Sequence, residues 1–480
     1  MIESMNRHQY PFSKQNRTLR QQSSAVIQEM LRNALRHHQG GRLTEAERIY
    51  QQILAIDANQ ADSLNLLGMV AYQAGRHEAA VELIRKAIAI NNEGASYHSN
   101  LGTVLQAQGK LEEAATCYER ALALKPDLAE VHTNLGNILQ AQGKLDESVA
   151  YHERALTIKP ELTEAHYNLG LAQLLSGDFT SGWRNFEQRW KSKDYGTALR
   201  AYPQPLWNGE KLASGRLLIW GEQGVGDEIM FTGLIPDVTR TGTRCLLDCD
   251  ARLQPLFARS FPGIDVISGH VSGADLGNDL EVDIAAHLPS GSLPGLFRTS
   301  NAAFAVTTSP YLVADSVAQE RFRAHYADAN GRRLAGLAWH TNNRRSGRYR
   351  SIDLSLFAPL FARPDIRWVS LQYGDHDALE SQAAAASSPI LIDRSVDQLS
   401  NIDIFAAQIA AMDMVVTIDN STAHLAGALG VPVWVLLPFA PDWRWLLARE
   451  DSPWYPTMRL FRQQKRGDWQ SVVQSVQSAL

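Results

Sequence analysis

Only three of the 480 residues are cysteine: Cys117, Cys245 and Cys249. That is too few for a disulfide framework, and their spacing lacks the paired pattern of a zinc site. A reducing, cytoplasmic setting is therefore expected. No run approaches the roughly 18 to 20 apolar residues that span a bilayer, so no membrane insertion is expected. Positive charge is not in excess either. Lys and Arg number 46 against 51 Asp and Glu, a net charge of −5, which gives no global field for nucleic acid. Residues 1–25 are polar and mildly basic, without the apolar core of a secretory signal. They read as a disordered lead-in. The remaining composition, 45% hydrophobic and 20% charged, is that of a soluble protein with length for several domains.

What the chain has in plenty is a period. Gly41, Gly75, Gly109, Gly143 and Gly177 fall 34 residues apart. Leu-Gly pairs ending at Gly68, Gly102, Gly136 and Gly170 keep the same period, as do small residues at Ala46, Ala80, Ala114, Ser148 and Gly182. A fourth register carries Tyr50, Ile84, Tyr118, His152 and Phe186. The pattern describes two amphipathic helices per unit, joined at a glycine turn and held close by small residues. Such hairpins hide their apolar stripes only by stacking on their neighbours. In spacing and residue type the array resembles the tetratricopeptide family, with about five units over residues 26–194. The last unit, GDFTSGWRNFEQRW, is aromatic, which suggests a cap or a docking face.

Asn100, Asn134 and Asn168 recur two residues before the Leu-Gly glycines. In tetratricopeptide arrays this position faces the concave groove. A carboxamide both donates to and accepts from a peptide backbone, so three in register form a ladder for an extended protein acceptor. This resembles the asparagine ladder of the protein O-GlcNAc transferases. A tolerated polar residue is the plainer alternative.

After Trp190 the pattern changes. Residues 195–214 form a connector rich in Pro and aromatic residues. Short runs then alternate with helical stretches: RLLIW, RCLLDC, IDVIS, RLAGLAW, IRWVSLQ, MVVTID and PVWVLL. This layout predicts parallel sheets with crossover helices. The expected fold class is multidomain, an all-α superhelix followed by an α/β half. Two doubly wound lobes are expected over residues 215–325 and 326–480.

Three segments in that half carry polar groups where ligands of open α/β sheets gather. The first, WGEQGVGDEIM, ends a strand and opens a helix through Gly224, Gly226 and Asp227. Asp227 there is placed to take a proton from an attacking hydroxyl, and an ordinary capping aspartate is the plainer alternative. Its glycines do not fit the dinucleotide spacing. The second, WHTNNRRSGRYRS, crowds Arg344, Arg345, Arg348 and Arg350 into a loop suited to phosphate. The third, TIDNSTAHLAGALGVP, leads a buried strand into Asp419, Asn420, Ser421 and Thr422, with His424 in the first turn of a helix. Free amides at that turn suit a diphosphate.

Together these segments resemble the heptosyltransferase-like (ADP-heptose transferase-related) glycosyltransferases, most closely their tetratricopeptide-fused relatives. PDWRWLLAREDSPWYPTMRLFRQ near the end resembles the same subgroup. The resemblance implies a glycosyltransferase-B fold of two Rossmann-like lobes, with the acceptor side N-terminal and the nucleotide-sugar side C-terminal. It implies that Asp227 is the base. It matches Asp419, Ser421, Thr422 and His424 to the donor-binding loop and helix. It puts a basic phosphate-binding residue in the arginine loop without aligning one arginine, so Arg345 and Arg350 both stand as candidates, with Gly224, Gly226 and Asn420 as further donor-side candidates. His340-Thr341 departs from the smaller pair usual in the subgroup.

The resulting expectation is a protein glycosyltransferase acting on Ser or Thr of an acceptor, flagellin or an adhesin being of the right kind. The nucleotide-sugar is a substrate, and no cofactor is expected. No metal is expected either: Asp248-Cys249-Asp250 and Asp375-His376-Asp377 match a DxD pattern, but three residues match easily by chance, and helix amides with arginines can neutralise a leaving diphosphate. Two rival functions are an adaptor with a vestigial transferase half and a lipopolysaccharide-type transferase. The latter lacks a basic amphipathic membrane helix.

Overall fold

The computed structural model describes residues 12–192, 195–269, 283–306, 310–343 and 347–480. The chain divides into two compact units, Met1–Ala165 and His166–Leu480.

The first unit is built of antiparallel helical hairpins. They are α1 (Phe12–Gln39) with α2 (Leu43–Ile56), α3 (Ala61–Gln73) with α4 (His77–Ile90), α5 (Ala95–Ala107) with α6 (Leu111–Leu124), and α7 (Ala129–Ala141) with α8 (Leu145–Ile158). The first helix starts at Phe12, inside the segment expected as a lead-in. Each hairpin turn uses its glycine in the left-handed region, as at Gly75 (φ +76°) and Gly109 (φ +78°). There the Arg76 N–H reaches the Ala71 carbonyl and the Gly75 N–H reaches that of Tyr72, both at 2.9 Å. This is the Schellman pattern, which satisfies the orphan carbonyls of the first helix.

The other registers meet across each hairpin. A methyl group on Gly102 would lie 2.7 Å from the Tyr118 ring, and one on Gly136 would lie 2.7 Å from that of His152. The glycine of the Leu-Gly pair is therefore the hole into which the large residue 16 positions later fits.

The second unit begins within the first turn of the last hairpin, α9 (Thr163–Ser176) and α10 (Phe179–Phe186). Its aromatic residues explain this grouping. Trp183 is 3% exposed, and its indole N–H donates to the Arg298 carbonyl at 2.9 Å. Phe179 packs on Phe304, with ring centres 5.0 Å apart.

The first sheet holds β1 (Arg216–Trp220), β2 (Cys245–Cys249), β3 (Asp265–Ser268) and β4 (Ile284–Pro289), all parallel, in the order β3-β2-β1-β4. Around it lie α11 (Val225–Thr232), α12 (Ile235–Arg240), α13 (Gln254–Ser260) and α14 (Leu293–Phe297). Next comes α15 (Ser316–Tyr326).

The second sheet holds β5 (Arg333–Ala338), β6 (Ile366–Ser370), β7 (Met414–Ile418), β8 (Val433–Leu437) and β9 (Met458–Arg462), again parallel, in the order β6-β5-β7-β8-β9. Its helices are α16 (Gly347–Arg350), α17 (Ala358–Phe361), α18 (His376–Ala385), α19 (Ile402–Ala410), α20 (Ser421–Ala428) and α21 (Trp469–Ala479). Its core gathers Trp339, Phe357, Trp368, Val416 and Leu436. α15, expected in the first lobe, goes with this sheet: it packs on α19, and the Tyr326 hydroxyl donates to Asp393 and accepts from Gln408.

Candidate active site between the two sheets

In each sheet the strand order reverses at one place, between β1 and β4 and between β5 and β7. Loops leaving strands at such a reversal part to opposite faces and open a crevice. After β1 the chain runs from Gly221 to Gly224 into α11, and Gln223 takes φ +65° in this loop. That conformation is strained for a residue with a side chain. After β7 it runs through Asp419 and Asn420 into α20. The first turns of α11 and α20 touch. A methyl group on Gly226 would lie 3.2 Å from His424 and 3.5 Å from the Ser421 backbone, so the missing side chain there permits the approach.

Asp227, at the third position of α11, reaches back to the Gly224 N–H at 3.3 Å. Its other oxygen accepts from Arg444 at 2.9 Å. Arg444 spends its remaining nitrogens on Asp442 (2.9 Å) and on His424 Nε2 (3.3 Å). A guanidinium can only donate, so His424 Nε2 accepts and the proton sits on Nδ1. Burial, together with Arg444 and Arg350, holds the His424 imidazole well below its usual pKa, which agrees with this neutral form. Its Nδ1 lies 2.9 Å from the Tyr455 hydroxyl. Tyr455 in turn bonds Tyr311, whose hydroxyl donates to the Ile229 carbonyl of α11 at 2.8 Å. The hydrogen bonds thus run in one direction, from Arg444 through the imidazole and two phenols back to α11.

Arg350, at the end of α16, bridges Asp419 (3.2 Å) and Asp442 (3.6 Å). Burial pushes the Asp419 carboxyl up against the pull of Arg350. Burial acts likewise on Asp442, but Arg444 and Arg350 overcome it and hold that carboxyl below the usual range. At the start of α20 the Asn420 side chain accepts from the Ala423 N–H at 3.3 Å. Among the described residues, the buried Thr422 hydroxyl and the Asn420 amide nitrogen have no hydrogen-bond partner. Beyond the end of β5 lies a hollow of about 560 Å³, lined in part by His340, Ser351, Asp353 and Gln382.

One further group supports the loop after β1. Glu222 is 2% exposed and takes both arms of Arg189, each at 3.1 Å, plus the Tyr195 hydroxyl at 2.5 Å. Arg189 follows the last hairpin directly. Burial opposes its charge, but Glu222 and Glu187 keep it firmly protonated. A side chain on Gly291 would collide with the Glu222 carboxylate.

Comparison with known proteins bears first on the hairpins. Residues 37–102 match a tetratricopeptide repeat model, and residues 103–143 and 136–177 match a second model described as TPR repeat. Residues 37–177 are tetratricopeptide repeats. The chain is also 30% identical over 324 residues to "Protein FlbA" of Caulobacter vibrioides (strain ATCC 19089 / CIP 103742 / CB 15), an alignment covering 64% of this chain and 53% of that protein. The chain thus spans about half the length of this curated relative. Similar solved structures include that of MamA, 24% identical over 32% of this chain and 91% of that one, with a TM-score of 0.30. PilF of Pseudomonas aeruginosa is 18% identical over 46% of this chain and 87% of that one, with a TM-score of 0.35. YrrB, described as a TPR protein with an unusual peptide-binding site, is 21% identical over 36% of this chain and 92% of that one, with a TM-score of 0.28.

Within the tetratricopeptide repeats Asn100 and Asn134 are partly exposed, on α5 and α7. Asn100 donates to Asn65 at 3.0 Å. Asn168 lies on α9 and is also partly exposed.

In the α/β half the structure brings Gly224, Gly226, Asp227, Arg350, Asp419, Asn420, Ser421, Thr422 and His424 to one place, whereas Arg345 lies outside the described residues. Arg444, Asp442, Tyr455 and Tyr311 complete the cluster, and no spacing rule singles them out in the sequence. The DxD carboxylates have other work: Asp248 pairs with Arg200 and Asp250 with Arg252, while Asp375 caps α18 and Asp377 pairs with Arg394. Among the described residues no group of three or more His, Cys, Asp or Glu could hold a metal ion, and no helix is long and apolar enough to cross a membrane.

Proposed function

We propose that this protein is a glycosyltransferase of the glycosyltransferase-B type. It moves a sugar from a nucleotide-sugar to a Ser or Thr hydroxyl of a protein acceptor, without a metal. One observation carries the reading: the crevices of two parallel sheets meet at Asp227, with Arg350, Arg444 and the amides of Ser421 and Thr422 beside it. The α20 amides and the arginines suit the donor's diphosphate, and the hollow beyond β5 is roomy enough for its nucleoside. The acceptor oxygen bonds the anomeric carbon, its proton passes to Asp227, and the bond to the diphosphate breaks with its electron pair on the leaving group. The tetratricopeptide repeats, through Asn100 and Asn134, offer an extended acceptor backbone its hydrogen bonds.

The test is incubation of the purified protein with a panel of nucleotide-sugars and host lysate, followed by mass spectrometry for hexose, heptose or nonulosonate on Ser or Thr. Asp227→Asn should cut transfer by about 100-fold or more. Full transfer by that variant would remove Asp227 from the role of base.

One observation favours the adaptor as a second reading: the arginines and carboxylates of the crevice already satisfy one another. Failure of every donor and every nucleoside diphosphate to bind would leave the adaptor as the function.

A further inference from the structure

We propose that Arg444 takes the donor's diphosphate by letting go of Asp227, so that arrival of the donor frees the base. The proposal rests on the transferase reading above.

The argument starts from charge. Two guanidinium groups, Arg350 and Arg444, share three carboxylates, Asp227, Asp419 and Asp442. A diphosphate entering at the first turn of α20 must therefore draw an arginine away from a carboxylate. At that turn the buried Thr422 hydroxyl and the Asn420 amide nitrogen have no partner among the described residues, which is costly unless a ligand supplies one.

The pairs differ in how easily they part. Arg350 holds Asp419, which is 2% exposed, and leaving a carboxylate alone at such depth is expensive. Arg444 is anchored to Asp442 by Nε at 2.9 Å and by its own backbone N–H at 3.3 Å, and to His424 by Nη1. Its Nη2 alone crosses to the other sheet, to Asp227 at 2.9 Å. Asp227 has a side-chain exposure of 17% and keeps its bond to the Gly224 N–H when Arg444 turns away. Swinging only the outer end of Arg444 therefore exchanges a carboxylate for a phosphate and keeps its other anchors. It leaves Asp227 in contact with water and released from its arginine.

A double-mutant cycle in the full chain tests the exchange. Binding of ADP, GDP and UDP is measured by calorimetry for the natural sequence, Asp227→Asn, Arg444→Met and the double variant. Removing the competing carboxylate should tighten the diphosphate that binds by about fivefold or more. With Arg444 absent the same change should move affinity by less than about twofold. Unchanged or weaker binding by Asp227→Asn, with the natural sequence binding normally, overturns the exchange and leaves the transferase reading standing. An equal gain in both backgrounds also overturns it, because the carboxylate then acts only through its field. No binding of any diphosphate to the natural sequence overturns both. Should Arg444→Met fail to fold, Arg444→Lys replaces it, since a compact ammonium lacks the guanidinium fork that spans Asp442, His424 and Asp227.

Discussion

Glu228, the residue after Asp227, is 4% exposed and lies beneath Gly221, with one oxygen accepting the Asp250 N–H at 2.9 Å. Burial pushes its carboxyl up from the ordinary 4.5 to about 7. The folded protein therefore holds this proton where the unfolded chain has lost it. Glu228 stabilises the fold fully below about pH 4.5 and loses that contribution as pH rises to about 7, on the order of 2–3 kcal/mol. Glu228→Gln should therefore match the natural sequence near pH 4.5 and exceed it in stability at pH 8. Urea midpoints at the two pH values check this, and equal midpoints at pH 8 would refute the buried proton.

The same scale shows what the sequence could and could not reveal of the site. Asp227, Asp419 and the Asn420 to His424 run were legible because each closes a strand and opens a helix, a placement with its own local signature. Arg444 was not. It stands 217 residues from Asp227, between two indoles, and only the meeting of the sheets gives it a role. His424 was legible as a site residue, but its contacts place it behind Arg444 and against Tyr455.

At the scale of elements, the hairpins show a fit between positions 16 residues apart. Gly102→Ala would press a methyl group into the Tyr118 ring and should cost about 1–3 kcal/mol in urea unfolding. The neighbouring Ala114→Gly, which removes a buried methyl instead of adding one, should cost about 1 kcal/mol. A neutral Gly102→Ala would mean that the hairpin has slack to open. The helices were legible because one period repeats in four registers. Of the strands among the described residues, seven were legible as apolar runs bounded by turn residues. The other two, β4 and β9, lack that signal: IAAHLP is rich in alanine and ends in proline, and MRLFR carries two arginines at the edge of its sheet. Tertiary pairing, rather than local preference, makes them strands.

At the scale of the whole molecule, all 11 tryptophans fall in residues 166–480, and the compact unit that ends at Ala165 has none. Indole fluorescence therefore reports one unit, whereas helical circular dichroism reports both. Two independently cooperative units should give urea transitions that do not coincide by the two probes. Coincident curves would mean that the chain unfolds as one block.

The Arg189–Glu222 pair has a consequence for how such a chain can change over generations. A stacked array grows and shrinks by whole units, because each unit meets only its neighbours. The hairpin that leads into Arg189 is outside that freedom, since its charge partner sits in the loop that leads to Asp227. Duplication or loss of 34-residue blocks is therefore open to the hairpins before residue 166 and closed to the last one. The length of the array can vary while the final hairpin stays tied to the loop that leads to Asp227.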